Sequence, residues 1–353
     1  MNLVVYFVGA GFSAPLGIPV VRSFWSQSVD AYFANRAAHP EFEKVRAAIH
    51  NLNRIKTFYR TNLRDIEEVL SLLEMDDLLN DQDRLKTYQK YISDVVRHYT
   101  PSFAYEPSLP IMEKVLSSDP KWRLYGDLFL GLLHGNVMND GSDRRRGLQI
   151  VMTAEDTAYA VVSMNYDLLF ETIARHLNDQ GWSEPKISLE AVTPDDQSRR
   201  PGLLPLAKLH GTVENDQIVP PTWSKGRNRD VIPAWKCAFA CLKQASEIRF
   251  LGYSLPDGDA YARYLLRAAV AENERLRKID VICRDPDGSV RKRYDNFVDF
   301  PDYHFESGDI EKYLIGFSGS IGSRSAAGWS TANRLEGFHR RFMEKLAKEH
   351  KVV

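Results

Sequence analysis

The sequence predicts an α/β fold: a mostly parallel sheet with helices on both faces, interrupted by a helical insertion. Three observations predict it. The chain begins with a continuous apolar run, Leu3-Val4-Val5-Tyr6-Phe7-Val8, that stops at Gly9-Ala10-Gly11. Four further short apolar runs, Tyr159–Ser163, Leu204–Leu209, Ile248–Gly252 and Ile279–Cys283, alternate with helical stretches. Between them, from residue 30 to 150, charged helical patterns replace strand-like ones.

Leu3–Val8 lacks the polar alternation of a half-exposed strand, so it reads as a strand buried on both faces. A helix is expected over Val21–Phe33. Strand, glycine turn and helix in succession open a nucleotide-binding, Rossmann-like α/β unit. In Asn62–Met75, Leu63, Ile66, Val69, Leu70 and Leu73 recur at spacings of three and four, with Asn62 as the expected N-cap. Tyr88–Tyr99 and Leu124–Leu133 also read as helices, and prolines interrupt the chain between them. Leu168–Leu177, Ala234–Ala245 and Ala260–Glu274 are the helices expected between the later strands. Strands alternating with helices require crossovers, hence a parallel sheet covered on both sides. Gly316–Ser330 is rich in glycine, serine and alanine and reads as a flexible link. Asn333–Lys348 then presents Leu335, Phe338, Phe342, Met343 and Leu346 on one helical face. The expected organisation is a discontinuous nucleotide-binding domain over 1–29 and 150–315, a helical insertion over 30–149, and a link with a C-terminal amphipathic helix over 316–353.

Composition limits the function. Of 353 residues, 44% are hydrophobic, enough for a sizeable core. The formal charge is −1, from 46 basic and 47 acidic residues, so no whole-surface field draws nucleic acid or an anionic membrane. Arg144-Arg145-Arg146 is a local basic patch. Cys237, Cys241 and Cys283 are the only three cysteines, which fits a reducing compartment better than a disulfide framework. No signal peptide and no membrane-length apolar run is visible, so the expected location is cytoplasmic.

The residues with chemical potential follow the predicted strands. The first loop is Gly9-Ala10-Gly11-Phe12-Ser13-Ala14-Pro15-Leu16-Gly17-Ile18-Pro19. Glycines there let backbone approach a pyrophosphate, beside the N-terminus of the next helix. After Gly9 and Gly11 the next glycine is Gly17, so the G-x-G-x-x-G fingerprint of hydride-transfer enzymes is absent, and Asp30 lacks the context of a ribose-binding acid. Ser163-Met164-Asn165-Tyr166-Asp167 follows the second strand, Lys208-Leu209-His210-Gly211 the third, and Leu251-Gly252-Tyr253-Ser254-Leu255-Pro256 the fourth, with Asp259 beyond. Polar residues at the carboxyl ends of parallel strands stand where open α/β sheets bind ligands. Asn165 or Asp167 also suits a helix N-cap, and Gly252 and Pro256 suit ordinary turns.

In this order, GAGFS…GIP, NYD, HG and GYSLP resemble the SIR2 family of NAD-consuming enzymes, and most of all the bacterial SIR2-like branch found in anti-phage defence. The resemblance covers roughly residues 1–25 and 155–290. It implies that Gly9, Ala10, Gly11, Phe12 and Ser13 hold the NAD phosphates. It implies that Ile18 and Pro19 wall the nicotinamide side, with Arg22 closing that loop. Asn165 would position ribose hydroxyls and the attacking water, Asp167 would support it, and His210 would be the general base. Gly252 and Ser254 would contact the adenosine half, and Cys283 falls where the family often has an asparagine near the adenine.

The chain also departs from the family. An acid and an aromatic of its GIP-D-F-R stretch are replaced in Gly17-Ile18-Pro19-Val20-Val21-Arg22. Protein-deacylating members carry two cysteine pairs on a zinc ribbon after HG, and Thr212–Lys225 has none. Cys237 and Cys241, at helical spacing, cannot make a four-cysteine zinc site, so no metal is expected. The resemblance therefore implies hydrolysis of NAD to nicotinamide and ADP-ribose by a regulated, NAD-depleting effector. The alternatives are an NAD-dependent protein deacylase and a non-catalytic NAD or ADP-ribose sensor. Members of the defence branch need oligomerisation or a partner such as a HerA-like ATPase, an Argonaute-like protein or a nucleotide-processing enzyme. The helical insertion and Asn333–Lys348 are the expected docking surfaces, the alternative for the last helix being that it packs on its own domain.

Overall fold

The computed structural model describes residues 2–349 apart from 81–83, 101, 104, 105, 107, 142–146, 154, 194–199, 220–229, 323 and 326. The arginine triplet at 144–146 lies outside the described residues.

Strand β1 (Asn2–Val8) ends at Gly9, and the chain turns through α1 (Ala10–Ser13) into α2 (Val21–Ala34). Helices α3 (Phe42–Leu52), α4 (Ile66–Asn80) and α5 (Arg84–Tyr99) follow, then α6 (Ile111–Leu116) and α7 (Pro120–Leu132). Two strands, β2 (Gly135–Asn139) and β3 (Leu148–Met152), pair antiparallel before β4 (Thr157–Ser163) enters beside β1. Next come α8 (Leu169–Asp179), β5 (Ser183–Glu184), β6 (Ser188–Glu190) and β7 (Leu203–Lys208). A two-strand ribbon, β8 (Gly211–Thr212) with β9 (Gln217–Ile218), precedes α9 (Ile232–Gln244). The chain then alternates through β10 (Glu247–Leu251), α10 (Ala260–Ala271), β11 (Lys278–Cys283), α11 (Ser289–Asp295) and β12 (Tyr303–Ser307). It closes with α12 (Ile310–Ser320), β13 (Gly328–Ser330) and α13 (Leu335–Glu349).

The seven-stranded sheet has the order β12-β11-β10-β1-β4-β7-β6, and every pairing in it is parallel. β1 is its centre, and the chain builds outward from it in both directions. The apolar continuity of β1 follows directly. Val4, Tyr6 and Val8 face one core, with α7, α8, α12 and α13, while Leu3, Val5 and Phe7 face the other, with α9, α10 and α11. A third core lies within the helical block, where Phe24, Phe42, Leu70, Tyr91 and Ile92 meet Tyr166, Val213 and Ile218 from the sheet's loops.

Four expectations need correction. The interval 30–149 is not purely helical: β2 and β3 belong to a second sheet, β13-β2-β3-β5. Strands of five residues are too short for their alternation to stand out from the helical patterns around them. The start of α4 is capped by Asp65, whose Oδ1 accepts from the N–H groups of Glu67 and Glu68 at 2.9 and 3.3 Å. Asn62 instead caps the preceding turn, accepting from Arg64 N–H at 3.2 Å. The stretch 316–330 is not a link throughout, since it supplies the end of α12 and all of β13. Gly316 serves helix packing: a Cβ there would stand 2.9 Å from the Phe338 ring. Residues Leu335, Phe338 and Met343 of α13 are buried in the chain's own core, so that face is not a docking surface.

A buried polar chain fastens α13 to the sheet. Arg249, 1% exposed, donates to both Glu336 oxygens (2.9 and 2.6 Å), to Glu247 (2.7 Å) and to Tyr6 Oη (2.9 Å). Tyr6 Oη lies 3.3 Å from Tyr313 Oη, which lies 3.0 Å from His339 Nδ1. His339 Nε2 lies 2.9 Å from Asp280 Oδ2. A carboxylate can only accept, so Nε2 carries the hydrogen and Nδ1 accepts from Tyr313. Burial first, then the Arg249 charge, holds His339 down to about 4, against the pull of Asp280. Burial pushes the Asp280 carboxyl up, but His339 and Lys278 outweigh it and hold it at about 2.

This chain sets an acid sensitivity. Between pH 6.5 and 4 the unfolded chain takes up a proton at residue 339 that the folded one refuses, so stability falls as pH falls through that window. The loss reaches about 3 kcal/mol. The Asp280 contribution, present above about pH 4, is lost as pH falls further toward 2. Urea unfolding at pH 7 and pH 4.5 is expected to show a smaller pH effect in His339→Gln than in the parent. Equal effects in both proteins would contradict the assignment.

Candidate active site

The sheet order places the predicted motifs side by side. Val8 of β1 is in register with Leu251 of β10 and with Ser163 of β4; Ser163 is in register with Lys208 of β7, and Leu251 with Ile282 of β11. Along one carboxyl edge the succession is therefore Cys283, Gly252, Gly9, Asn165 and His210. The chain leaves β1 on both sides to build this edge, which is the topological switch point where open α/β sheets bind ligands.

Asn165 is the joint of the site. Its Nδ2 donates to Gly9 O and to Ser13 Oγ, both at 3.0 Å, and its own N–H donates to Ser163 Oγ at 3.1 Å. Gly9 O is a carbonyl and can only accept, so the amide must present its nitrogen to it. The orientation is thereby fixed, and Oδ1 points elsewhere. Asn165 is 7% exposed, and no donor among the described residues reaches that oxygen. A buried amide oxygen without a partner costs about 1–3 kcal/mol.

Asp167 lies alongside. Its Oδ1 accepts from Leu169 N–H at 3.1 Å at the start of α8. Burial pushes its carboxyl above the ordinary range, while the Lys208 charge and a hydrogen bond with Ser13 pull it back. Lys208 Nζ donates to the Asp167 carbonyl and to Glu171 Oε1, the latter at 2.9 Å. Ser13 thus links Asn165 to Asp167, and both candidate residues of NYD hang on the glycine loop.

The glycines of that loop are required by packing. Gly11 N–H donates to Gly252 O at 3.0 Å, and Gly9 N–H to Leu251 O at 3.1 Å. Gly252 has φ +63°, and a Cβ there would stand 2.2 Å from Phe12 N. A Cβ on Gly9 would stand 2.7 Å from Tyr253 Cα. The loops after β1 and β10 therefore touch backbone to backbone. Phe12 turns its ring into the core, edge-on to Tyr125 and stacked on Phe170, and its N–H donates to Gly9 O. Its side chain is a packing anchor. Ala10, at the head of α1, and Gly17 are the exposed residues of the loop.

His210 is 1% exposed and sits on the far side of Asn165. Its Nε2 lies 3.4 Å from Asp259 Oδ1, and Asp259 Oδ2 accepts from Tyr253 Oη at 3.0 Å. The Tyr166 ring lies 5.8 Å from the imidazole, and no partner among the described residues reaches its buried hydroxyl. Gly211, with φ +79°, allows the sharp turn after His210: a Cβ would stand 1.8 Å from Gln217 O. The ribbon that follows docks on the helical block, where Gln89 Nε2 donates to Ile218 O and Arg97 donates to Val213 O.

The other predicted residues are placed at the margins. Ile18 and Pro19 are buried just before α2, and Arg22 is exposed on its first turn. Ser254 lies beside Tyr253, its carbonyl accepting from Arg293 Nε at 2.9 Å. Cys283 ends β11, its thiol pushed up to about 12 by burial and by Asp285. Cys237 and Cys241 are buried on α9 with their sulfurs 4.0 Å apart. Among the described residues no group of three or more His, Cys, Asp or Glu is arranged to hold a metal ion. No helix among them is long and apolar enough to cross a membrane. The sequence reading did not assign Ser163, Tyr253 or Asp259 to the site. Asp259 stands far along the chain from His210, and only the folded loop brings them together.

The loop-to-loop contact makes a direct prediction. Gly252→Ala combines a left-handed backbone, about 1–2 kcal/mol for a residue with a Cβ, with a clash against Phe12 N. It is expected to lower stability by about 3 kcal/mol or more. Gly258→Ala, in the same loop but with no described residue within 4 Å of its Cβ, is expected to stay within about 0.5 kcal/mol. Chemical denaturation measures both, and similar effects from the two would contradict the packing argument.

No curated protein sequence matches the chain. Solved structures similar to it include SIR2 in complex with an inhibitor, 2'-O-acetyl-ADP-ribose and a deacetylated p53 peptide. That pair shares 14% identity over 89% of this chain and 91% of the other, with a TM-score of 0.34. Another is Sir2Tm bound to a propionylated peptide, at 15% identity over 89% and 90%, with a TM-score of 0.34. Residues 159–298, from β4 to just beyond α11, match the family described as the SIR2-like domain, and that stretch holds Asn165, Asp167, His210, Gly252, Ser254 and Cys283.

Proposed function

We propose that the chain is an NAD glycohydrolase that releases nicotinamide and ADP-ribose. The observation that carries this reading is the Asn165 amide, locked by Gly9 and Ser13 with a buried oxygen that no donor among the described residues reaches. A ribose hydroxyl or a water would supply that donor and remove the cost of burying the oxygen alone. The SIR2-like match over 159–298 supports NAD as the source of the ribose.

In this reading water attacks the anomeric carbon of the nicotinamide ribose, and the N-glycosidic bond breaks. Nicotinamide departs with the bonding pair as a neutral molecule, so no acid is needed on that side. Asn165 Oδ1 holds a hydroxyl or the water, and His210 takes the proton that water gives up. The proton then passes to solvent, and the products balance as nicotinamide, ADP-ribose and one proton. Ala10 and the turn into α1 would meet the phosphates, Ile18, Pro19 and Arg22 the nicotinamide side, and Ser254 and Cys283 the adenosine half. Hydrolysis is preferred to deacylation because a chain with three cysteines cannot build the four-cysteine zinc ribbon that frames an acyl-lysine groove. An enzyme that consumes NAD needs restraint, and a partner or self-assembly is the expected source of it.

Chromatography of nicotinamide and ADP-ribose after incubation with NAD tests the proposal, with an acetyl-lysine peptide in a parallel arm. Asn165→Ala and His210→Ala are each expected to lower turnover by about two orders of magnitude or more. Product formed only when the peptide is present would favour deacylation. NAD binding without product under every condition would favour a sensor.

A further inference from the structure

We propose that Asp259 is a positioning residue that fixes the tautomer and charge response of His210. The inference rests on the reading of His210 as the base, and it assigns the loop after β10 a second task beyond packing under the glycine loop.

The geometry is a buried relay. β10 and β7 are separated by β1 and β4, so their ends stand three strand spacings apart, roughly 14 Å. The loop over 252–259 crosses that distance along the carboxyl edge and delivers a carboxylate to His210. The crossing is held at several points. The Tyr253 ring packs at 5.0 Å from Phe7, and its hydroxyl donates to Asp259 Oδ2 at 3.0 Å. Arg263 donates to Leu255 O at 3.0 Å and pairs with Asp257 at 2.8 Å. Asp259 N–H donates to Pro256 O at 3.2 Å as the chain enters α10. Asp259 is 3% exposed and His210 1%, with Oδ1 and Nε2 3.4 Å apart.

Chemistry gives this arrangement a direction. A buried carboxylate is costly unless donors face it. Among the described residues Tyr253 Oη donates to Oδ2, and His210 Nε2 stands 3.4 Å from Oδ1, in ion-pair range. A carboxylate cannot donate while ionised, so the hydrogen of a neutral imidazole belongs on Nε2. In that tautomer the basic lone pair is on Nδ1. Once Nδ1 takes a proton, Asp259 stabilises the imidazolium, as a carboxylate behind a catalytic histidine does in hydrolytic triads.

The relay makes expectations that mere packing does not. Asp259→Asn, which keeps the shape and removes the charge, is expected to lower kcat for NAD by about 10²-fold or more, with KM within about threefold. The rising limb of kcat/KM against pH is expected to move about one unit toward acid. Asp259→Glu should recover part of the rate, and Tyr253→Phe should give an intermediate loss. Adding Asp259→Asn to His210→Ala should cost nothing further. Wild-type rate and an unmoved limb in Asp259→Asn would overturn the proposal while leaving His210 as the base. Nitrogen-15 NMR of labelled histidine tests it without activity: the unmodified protein should show His210 hydrogenated at Nε2, and Asp259→Asn should change that signal or its titration. An Nδ1–H tautomer, or a signal and titration indifferent to residue 259, would overturn it. A parent protein with the expected tautomer but no product from NAD would count against the glycohydrolase reading and leave the relay standing.

Discussion

One hydrogen bond, from Asn165 Nδ2 to the Gly9 carbonyl, decides the character of the site. It ties the end of β4 to the end of β1 across neighbouring strands. Because a carbonyl cannot donate, it settles which way the amide faces. The second bond, to Ser13 Oγ, extends the tie to α1 and through Ser13 to Asp167. The amide oxygen left over is buried and no donor among the described residues reaches it; a ligand's hydroxyl or a water would complete it. The proposal that the site grips a sugar hydroxyl or a water rests on that one oxygen.

The glycine loop bears on the same point differently than its sequence suggests. Glycines in such loops are usually explained by a pyrophosphate needing close approach to backbone. Here Gly9, Gly11 and Gly252 are explained by each other, since two loops from adjacent strands meet backbone to backbone. The contact sets the distance between the β1 loop that Asn165 holds and the β10 loop that carries Tyr253 and Asp259. A ligand would meet the outer side of this joint, at Ala10 and the turn into α1. The core beneath is polar as well as apolar: Arg249, Glu336, Tyr6, Tyr313, His339 and Asp280 form a connected chain that holds α13 against the sheet. The last helix is thus part of the domain, and its apolar face is already covered.

The strands of the large sheet were legible because burial on both faces leaves long apolar runs, as in Leu3–Val8, and because each ends in a polar or glycine motif. The motifs were legible as neighbours only through the rule that parallel strands present their carboxyl ends together. What escaped did so for physical reasons. β2 and β3 are short strands of a small sheet, where five residues of alternation resemble one face of a helix. Gly316 and its serine neighbours look like a link, yet small residues also let α12 and α13 come close. Asp65 rather than Asn62 caps α4, because either residue type can cap and only geometry decides. Asp259 was visible in the sequence, but its meeting with His210 depends on a loop crossing two strands, which no local pattern encodes.

The central claim is that Asn165 Oδ1 is an acceptor waiting for a ligand's donor. A crystal structure of the chain with NAD, or with an analogue that resists cleavage, measures this most directly. The account predicts a nicotinamide-ribose hydroxyl or an ordered water within about 3 Å of Oδ1, with Nδ2 still on Gly9 and Ser13. Ligand bound elsewhere on the chain, or bound at this edge with Oδ1 still lacking a donor, would contradict it.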